Sequence, residues 1–123
     1  MTRKAGIVML VALLLGACAS PAQRTPLLGA EPEVSGIVTN APRTLRLYFE
    51  ALPDVPRSNV ELEGPDGEML TLRGIHTMGA DDLMMEINDN VPNGEYTVRW
   101  NAYIGDDPTG YEGSYNFTVD AAD

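Results

Sequence analysis

The chain has 123 residues, which is enough for one domain but not for two. Its 18 acidic residues outnumber 8 Lys and Arg, and the formal net charge is −10. A surface this acidic repels phosphate backbones, which excludes nucleic acid as a partner and leaves cations and basic proteins. Cys18 is the single cysteine, so no disulfide can form within the chain.

The first 17 residues are predicted to be a lipoprotein signal peptide. Arg3 and Lys4 precede a mostly aliphatic run over residues 7–15 that is too short to span a bilayer stably. The run ends at residues 15–18 in Leu-Gly-Ala-Cys, which resembles a bacterial lipobox, where the cysteine becomes the lipidated first residue. An ordinary secretory signal with a chance cysteine is the alternative.

A lipidated Cys18 would attach the protein to a membrane through its lipid anchor. Ala19 stands where Asp would favour retention at the inner membrane, so the resemblance implies the periplasmic side of the outer membrane. Residues 18–26 are small and polar, contain two prolines and lack periodicity, so they are predicted to form a flexible tether. The folded domain is predicted over residues 27–120.

Alternating apolar and polar residues predict β-strands through most of this domain. The clearest alternation joins Tyr96, Val98, Trp100 and Ala102 in one strand and residues 115–119 in the last. An acidic connection, Gly-Asp-Asp-Pro-Thr-Gly at residues 105–110, lies between them. The other predicted strands are at residues 27–30, 36–39, 44–50, 58–73 (a hairpin turning at Gly-Pro-Asp-Gly) and 83–87.

About seven strands without a helical period predict an all-β fold, a seven-stranded antiparallel Greek-key β-sandwich or barrel. Residues 52–58 contain two prolines and are predicted to be an irregular connection. Trp100 is predicted to lie at the centre of the core. Its expected neighbours are Leu47, Phe49, Val60, Leu62, Leu72, Leu83, Met85, Ile87, Val98 and Phe117.

The order of several segments resembles the copper-resistance protein CopC family. They are Ala-Pro before Leu-Arg-Leu-Tyr-Phe at residues 41–49, Ser-Asn-Val-Glu-Leu at 58–62, Pro-Asn-Gly-Glu-Tyr-Thr-Val-Arg-Trp at 92–100, and Gly-Ser-Tyr-Asn-Phe-Thr-Val at 113–119. The resemblance implies a cupredoxin-like (immunoglobulin-like) β-sandwich in the periplasm. It also implies copper as a cofactor and transfer of copper to a partner protein in resistance or uptake.

Most of the ligands that the resemblance implies are replaced in this sequence. The histidine that begins typical mature chains matches Arg24, and the histidine after the Trp strand matches Asp107, beside Asp106. The acidic residue of the third strand falls on Ala51, with Glu50 adjacent. Carboxylates alone suit hard ions and imidazole suits Cu(II), so the usual Cu(II) site is predicted to be absent or altered.

His76 and Met78 are candidate ligands for a replacement Cu(I) site. Imidazole and thioether are both accepted by Cu(I), and Met84 and Met85 follow shortly afterwards. The family's Met-rich loop is shortened at residues 63–67 to Glu-Gly-Pro-Asp-Gly. The alternative is a solvated histidine in a loop before a strand, with Met85 filling the core.

The acidic connection offers a second candidate, a hard-cation site formed by Asp106, Asp107 and Glu112. Calcium sites collect several such oxygens from a loop. No known calcium-loop spacing is present, and Asp-Asp-Pro-Thr-Gly is also favourable turn chemistry.

The predicted function is that of a periplasm-facing lipoprotein, related to copper binding and resistance, with a degraded or altered metal site. An enzyme is not predicted, because His76 is the single histidine and no nucleophile-elbow pattern accompanies it. The expected partners are the membrane and an envelope or copper-handling protein. Two alternatives remain, a metal-independent interaction module of the cell envelope and an accessory to a larger envelope assembly.

Overall fold

The computed structural model describes residues 25–122. The predicted signal peptide, Cys18 and the tether up to Arg24 lie outside the described residues. Within them are a 3₁₀ helix (Val55–Arg57) and nine strands: β1 (Leu27–Glu31), β2 (Ile37–Val38), β3 (Thr44–Phe49), β4 (Asn59–Glu63), β5 (Met69–Leu70), β6 (Leu72–His76), β7 (Asp82–Ile87), β8 (Gly94–Ala102) and β9 (Tyr111–Val119). No helix between residues 25 and 122 has the length and apolar character needed to cross a membrane.

The strands form two sheets, in the orders β1-β3-β7-β6 and β2-β9-β8-β4-β5. Every pairing is antiparallel except that of β2 with β9, which is parallel. The predicted all-β sandwich class is confirmed. The described chain has nine strands rather than about seven, because two of them are only two residues long and one predicted strand divides between the sheets.

The predicted hairpin over residues 58–73 is correct only as far as Leu70. The turn closes through a hydrogen bond from Gly67 N to Gly64 O at 3.0 Å, and β4 pairs with β5. Thr71 then leaves the five-stranded sheet, and its N–H donates to Asp89 Oδ2 at 2.7 Å. Leu72 begins β6 at the edge of the other sheet. The alternation runs unbroken through this crossing, so period-two reasoning cannot detect it.

The core lies between the inner faces of the two sheets, and Trp100 is buried in it as predicted. Phe49 meets the indole edge-on, with ring centroids 5.4 Å apart, a favourable aromatic geometry. Gly113 is the residue paired with Trp100 across β8 and β9. A Cβ at Gly113 would lie 2.9 Å from the indole Cζ2, so the glycine makes room for the ring.

The predicted core members are buried, with two exceptions that are only partly buried. Leu72 lies on the edge strand β6, and Ile87 is the last residue of β7, so each lacks neighbours on one side. Packing also begins before Leu27. Pro26, placed at the end of the predicted tether, is fully buried, and its carbonyl oxygen accepts a hydrogen bond from Glu50 N at 3.1 Å.

Candidate metal-binding residues

The loop between β8 and β9 is organised around Asp107. Its carboxylate accepts a hydrogen bond from Thr109 N to Oδ1 at 2.9 Å and one from the Tyr111 hydroxyl to Oδ2 at 2.7 Å. Its own N–H donates to Ile104 O at 3.2 Å. Asp107 is half-buried and the preceding Asp106 is exposed. The Asp107 side chain therefore holds the loop closed at the start of β9.

The same loop packs beside the segment that contains Ala51. Gly105 N donates to Leu52 O at 2.9 Å, and Ile104 forms an isolated bridge with Pro53. A Cβ on Gly105 would lie 3.2 Å from the Ala51 methyl group. The fold thus brings together the two segments that the resemblance matches to metal ligands. At this contact, however, Ala51 presents a methyl group where the resemblance implies an acidic side chain.

The hard-cation alternative receives no support from the arrangement of the side chains. Glu112 pairs with Asn101 across β8 and β9 and lines a cleft of about 440 Å³ together with Asn59 and Glu61. Between residues 25 and 122, no group of three or more His, Cys, Asp or Glu side chains is arranged to hold a metal ion. Asp106, Asp107 and Glu112 therefore stay candidates from the sequence alone.

His76 is the last residue of β6, so its predicted position in a loop is wrong. It is exposed and lies directly opposite Met84 of β7. Ring Nδ1 is hydrogen-bonded to the carbonyl oxygen of Gly74. Met78 is 58% exposed in the following loop, whereas Met85 is buried in the core as the alternative interpretation predicted.

Asp82, which no sequence pattern singled out, is buried with 0% of its surface exposed. Its Oδ1 accepts hydrogen bonds from Thr77 Oγ1 at 3.0 Å and from Met78 N at 2.9 Å, with Ala80 N at 3.4 Å. Its Oδ2 accepts from Arg46 Nε at 2.7 Å. The loop over residues 77–81 thus folds around the carboxylate of Asp82.

The environment of Asp82 favours its charged form. Burial raises the pKa of this carboxyl, but the hydrogen bonds from Met78 N, Arg46, Thr77 and Ala80 N outweigh burial and lower the pKa below its usual value. Strand alternation places Asp82 on the face of Met84 and Glu86, which turns away from the core. Period-two reasoning therefore could not reveal its burial, because the covering atoms come from a loop.

Comparison with protein families matches the CopC domain to residues 27–120. Comparison with curated proteins gives no match.

Solved structures with a similar fold include CopC from Methylosinus trichosporium OB3b. It is 22% identical, with a TM-score of 0.70, and the match covers 81% of this chain and 97% of that one. A second is PcoC from Escherichia coli, a methionine-rich copper resistance protein. It is 22% identical with a TM-score of 0.66, and the match covers 76% of this chain and 95% of that one. At these identities the likeness shows the fold.

Proposed function

The chain belongs to the CopC domain family, and on this premise we propose that it is a copper-handling protein of the cell envelope with an altered copper(II) site. The similar folds include one that is described as a copper resistance protein. The proposed activity is binding and transfer of the ion rather than catalysis.

The main support for an altered copper(II) site is that the carboxylate of Asp107 is already hydrogen-bonded. Both of its carboxylate oxygens accept hydrogen bonds from its own loop, from Thr109 N and the Tyr111 hydroxyl. The adjoining segment contributes Ala51, whose methyl group cannot bind a metal. Imidazole is the side chain that suits Cu(II), and the single histidine of the chain lies on β6, in the other sheet from β8 and β9.

We further propose that Cys18 is lipidated and that a short tether holds the domain at the periplasmic face of the outer membrane. The lipobox-like residues 15–18 support this location. Mass spectrometry of the membrane fraction should detect an acylated Cys18 at the mature N-terminus. An unmodified chain that starts elsewhere would contradict the anchor.

Calorimetric titration of the purified protein with Cu(II) tests the altered site. Asp107→Asn is the informative variant, because the amide has nearly the same shape and a much weaker affinity for metal. We expect only weak Cu(II) binding, with the same affinity in the variant. Tight Cu(II) binding that is lost on Asp107→Asn would refute the altered site. Failure to bind Cu(II), together with failure to bind Cu(I) in a parallel anaerobic titration, would instead favour the metal-independent interaction module.

A further inference from the structure

We propose that His76, Met84 and Met78 form a Cu(I) site on the outer face of the four-stranded sheet, where β6 meets β7. The choice of copper among soft cations rests on the proposed function. The placement of the donors rests only on the geometry of β6, β7 and the loop that joins them.

A β-bulge in β6 turns His76 onto the outer face. The register runs from Arg73 opposite Glu86 to His76 opposite Met84, so three steps along β6 match two along β7. The extra residue falls beside Gly74, which has a φ of 69°, the left-handed conformation typical of one class of bulge. Arg73 lies opposite the exposed Glu86, on the outer face. Side chains alternate between the two faces of a regular strand, so His76, three residues later, would face the core without the bulge.

The bulge also sets the tautomer and the orientation of the imidazole ring. Nδ1 of His76 is hydrogen-bonded to the carbonyl oxygen of Gly74. A carbonyl oxygen can only accept a hydrogen bond, so Nδ1 carries the proton and, in the neutral ring, Nε2 keeps its lone pair. Metal-binding histidines in proteins show the same arrangement, in which a second-shell carbonyl fixes the tautomer and the ring orientation. His76 is exposed, so Nε2 is accessible.

Met84 supplies a thioether beside the imidazole. His76 and Met84 are directly opposite each other in an antiparallel pair, where Cβ atoms lie about 4.5–5.5 Å apart. Met84 alternates with the buried Leu83 and Met85, so it points away from the core and is half-buried on the outer face.

Met78 supplies the third donor from a loop with a defined conformation. The carboxylate of Asp82 accepts hydrogen bonds from Met78 N at 2.9 Å and from the hydroxyl of Thr77 at 3.0 Å. These bonds fix the backbone of Met78 in the loop that joins β6 to β7, and Met78 is 58% exposed. The loop therefore holds the backbone of Met78 at the carboxylate of Asp82, which lies two residues before Met84 on the same face of β7.

Arg46, the cation that pairs with Met84, is engaged by Asp82 and Tyr48. Arg46 pairs with Met84 on the side opposite His76. Its Nε donates to Asp82 Oδ2 at 2.7 Å, and its guanidinium carbon lies 5.0 Å from the centre of the Tyr48 ring. Asp82 thus balances the charge of Arg46. Three neutral donors, one imidazole and two thioethers, then select a soft monovalent ion such as Cu(I) over a hard divalent one.

Anaerobic competition titration of the purified protein with Cu(I) tests the site. We expect His76→Gln and Met84→Leu each to lower the Cu(I) affinity about tenfold or more, and Met78→Leu to lower it by a smaller factor. Met69→Leu is the matched control, because Met69 is 50% exposed on β5 of the other sheet. It should leave the affinity unchanged.

A spectroscopic measurement separates ligation from a structural effect of these substitutions. With methyl-labelled methionine, Ag(I) as a probe should shift the methyl signals of Met78 and Met84 and leave that of Met69 in place. If Cu(I) binds but His76→Gln and Met84→Leu do not weaken it, this site is wrong and the proposed function stands. If the protein binds neither Cu(I) nor Cu(II), the proposed function fails as well.

Discussion

Two loops of this protein are each built around one aspartate, and they differ in how deeply the carboxylate is buried. The loop over residues 77–81 wraps Asp82, which is fully buried and accepts a hydrogen bond from the charged Arg46. The loop between β8 and β9 is closed by the half-buried Asp107, which accepts bonds from a backbone N–H and a tyrosine hydroxyl.

The depth of burial of the carboxylate determines which loop can hold a ligand in a fixed position. A buried, charged carboxylate makes its donors costly to displace, because each lost partner leaves unsatisfied charge in a low-dielectric site. A half-exposed carboxylate can exchange a donor for water at little cost. The loop around Asp82 is therefore the more rigid platform, and Met78 lies on it.

The substitution Asp82→Asn should give the largest effect. The amide would place N–H groups or a weaker acceptor against Arg46 Nε and Met78 N, which are donors only. We expect the free energy of unfolding to fall by about 3 kcal/mol, measured by urea denaturation. Ser58→Ala, at a buried hydroxyl that donates to Asp54 O, is a control with a smaller loss. Equal losses in the free energy of unfolding would contradict a larger contribution from Asp82.

Acid should reduce the stability that Asp82 contributes. The folded-state pKa of this carboxyl is lowered, so its contribution is complete above the unfolded value of about 3.9. It is lost as the pH falls from there through the folded value. The stability gap between the wild type and Asp82→Asn should therefore narrow in this window. A gap that is constant down to the acid transition would contradict the lowered pKa.

Gly74→Ala should have an intermediate effect, since it tests the bulge that turns His76 outward. A Cβ at this position would meet nothing within 4 Å, so the cost arises from the φ of 69° and should be about 1–2 kcal/mol. Gly67→Ala is a matched control, with a φ of 82° in the turn between β4 and β5. Both should lose stability, but only Gly74→Ala should weaken Cu(I) binding in the competition titration.

The smallest effect is expected for Asp107→Asn. An asparagine keeps the oxygen that accepts from Thr109 N, and its amide can donate to the Tyr111 hydroxyl, which accepts as well as donates. We expect a loss of about 0.5 kcal/mol in the free energy of unfolding. A loss as large as that of Asp82→Asn would show that the two carboxylates contribute equally to stability despite their different burial.

Sequence reasoning located most of the core and the regular strands. Leu47, Phe49 and Val98 follow a period of two that reports which side chains face the core, and the structure buries all three. It did not locate the crossing at Thr71, because alternation continues across it while Asp89 takes the N–H out of the sheet. It also misplaced His76, since a bulge resets the alternation without a signal in the apolar pattern.

The candidate site was only partly accessible from the sequence. The sequence offered His76 and Met78 as candidates because imidazole and thioether are both ligands that Cu(I) accepts. The partnership of His76 with Met84 rather than Met85 depends on strand register. The role of Asp82 depends on a loop that covers it.

The fold class, the family resemblance and the set of possible donors follow from the sequence, because alternation, turn residues and composition are properties of neighbouring residues. Which donors lie opposite one another depends on the pairing of the strands. Register, bulges and loop closure depend on contacts between different strands, such as Arg46 with Asp82 and His76 with Met84. Strand register brings His76 opposite Met84, and closure of the loop between β8 and β9 engages the carboxylate of Asp107.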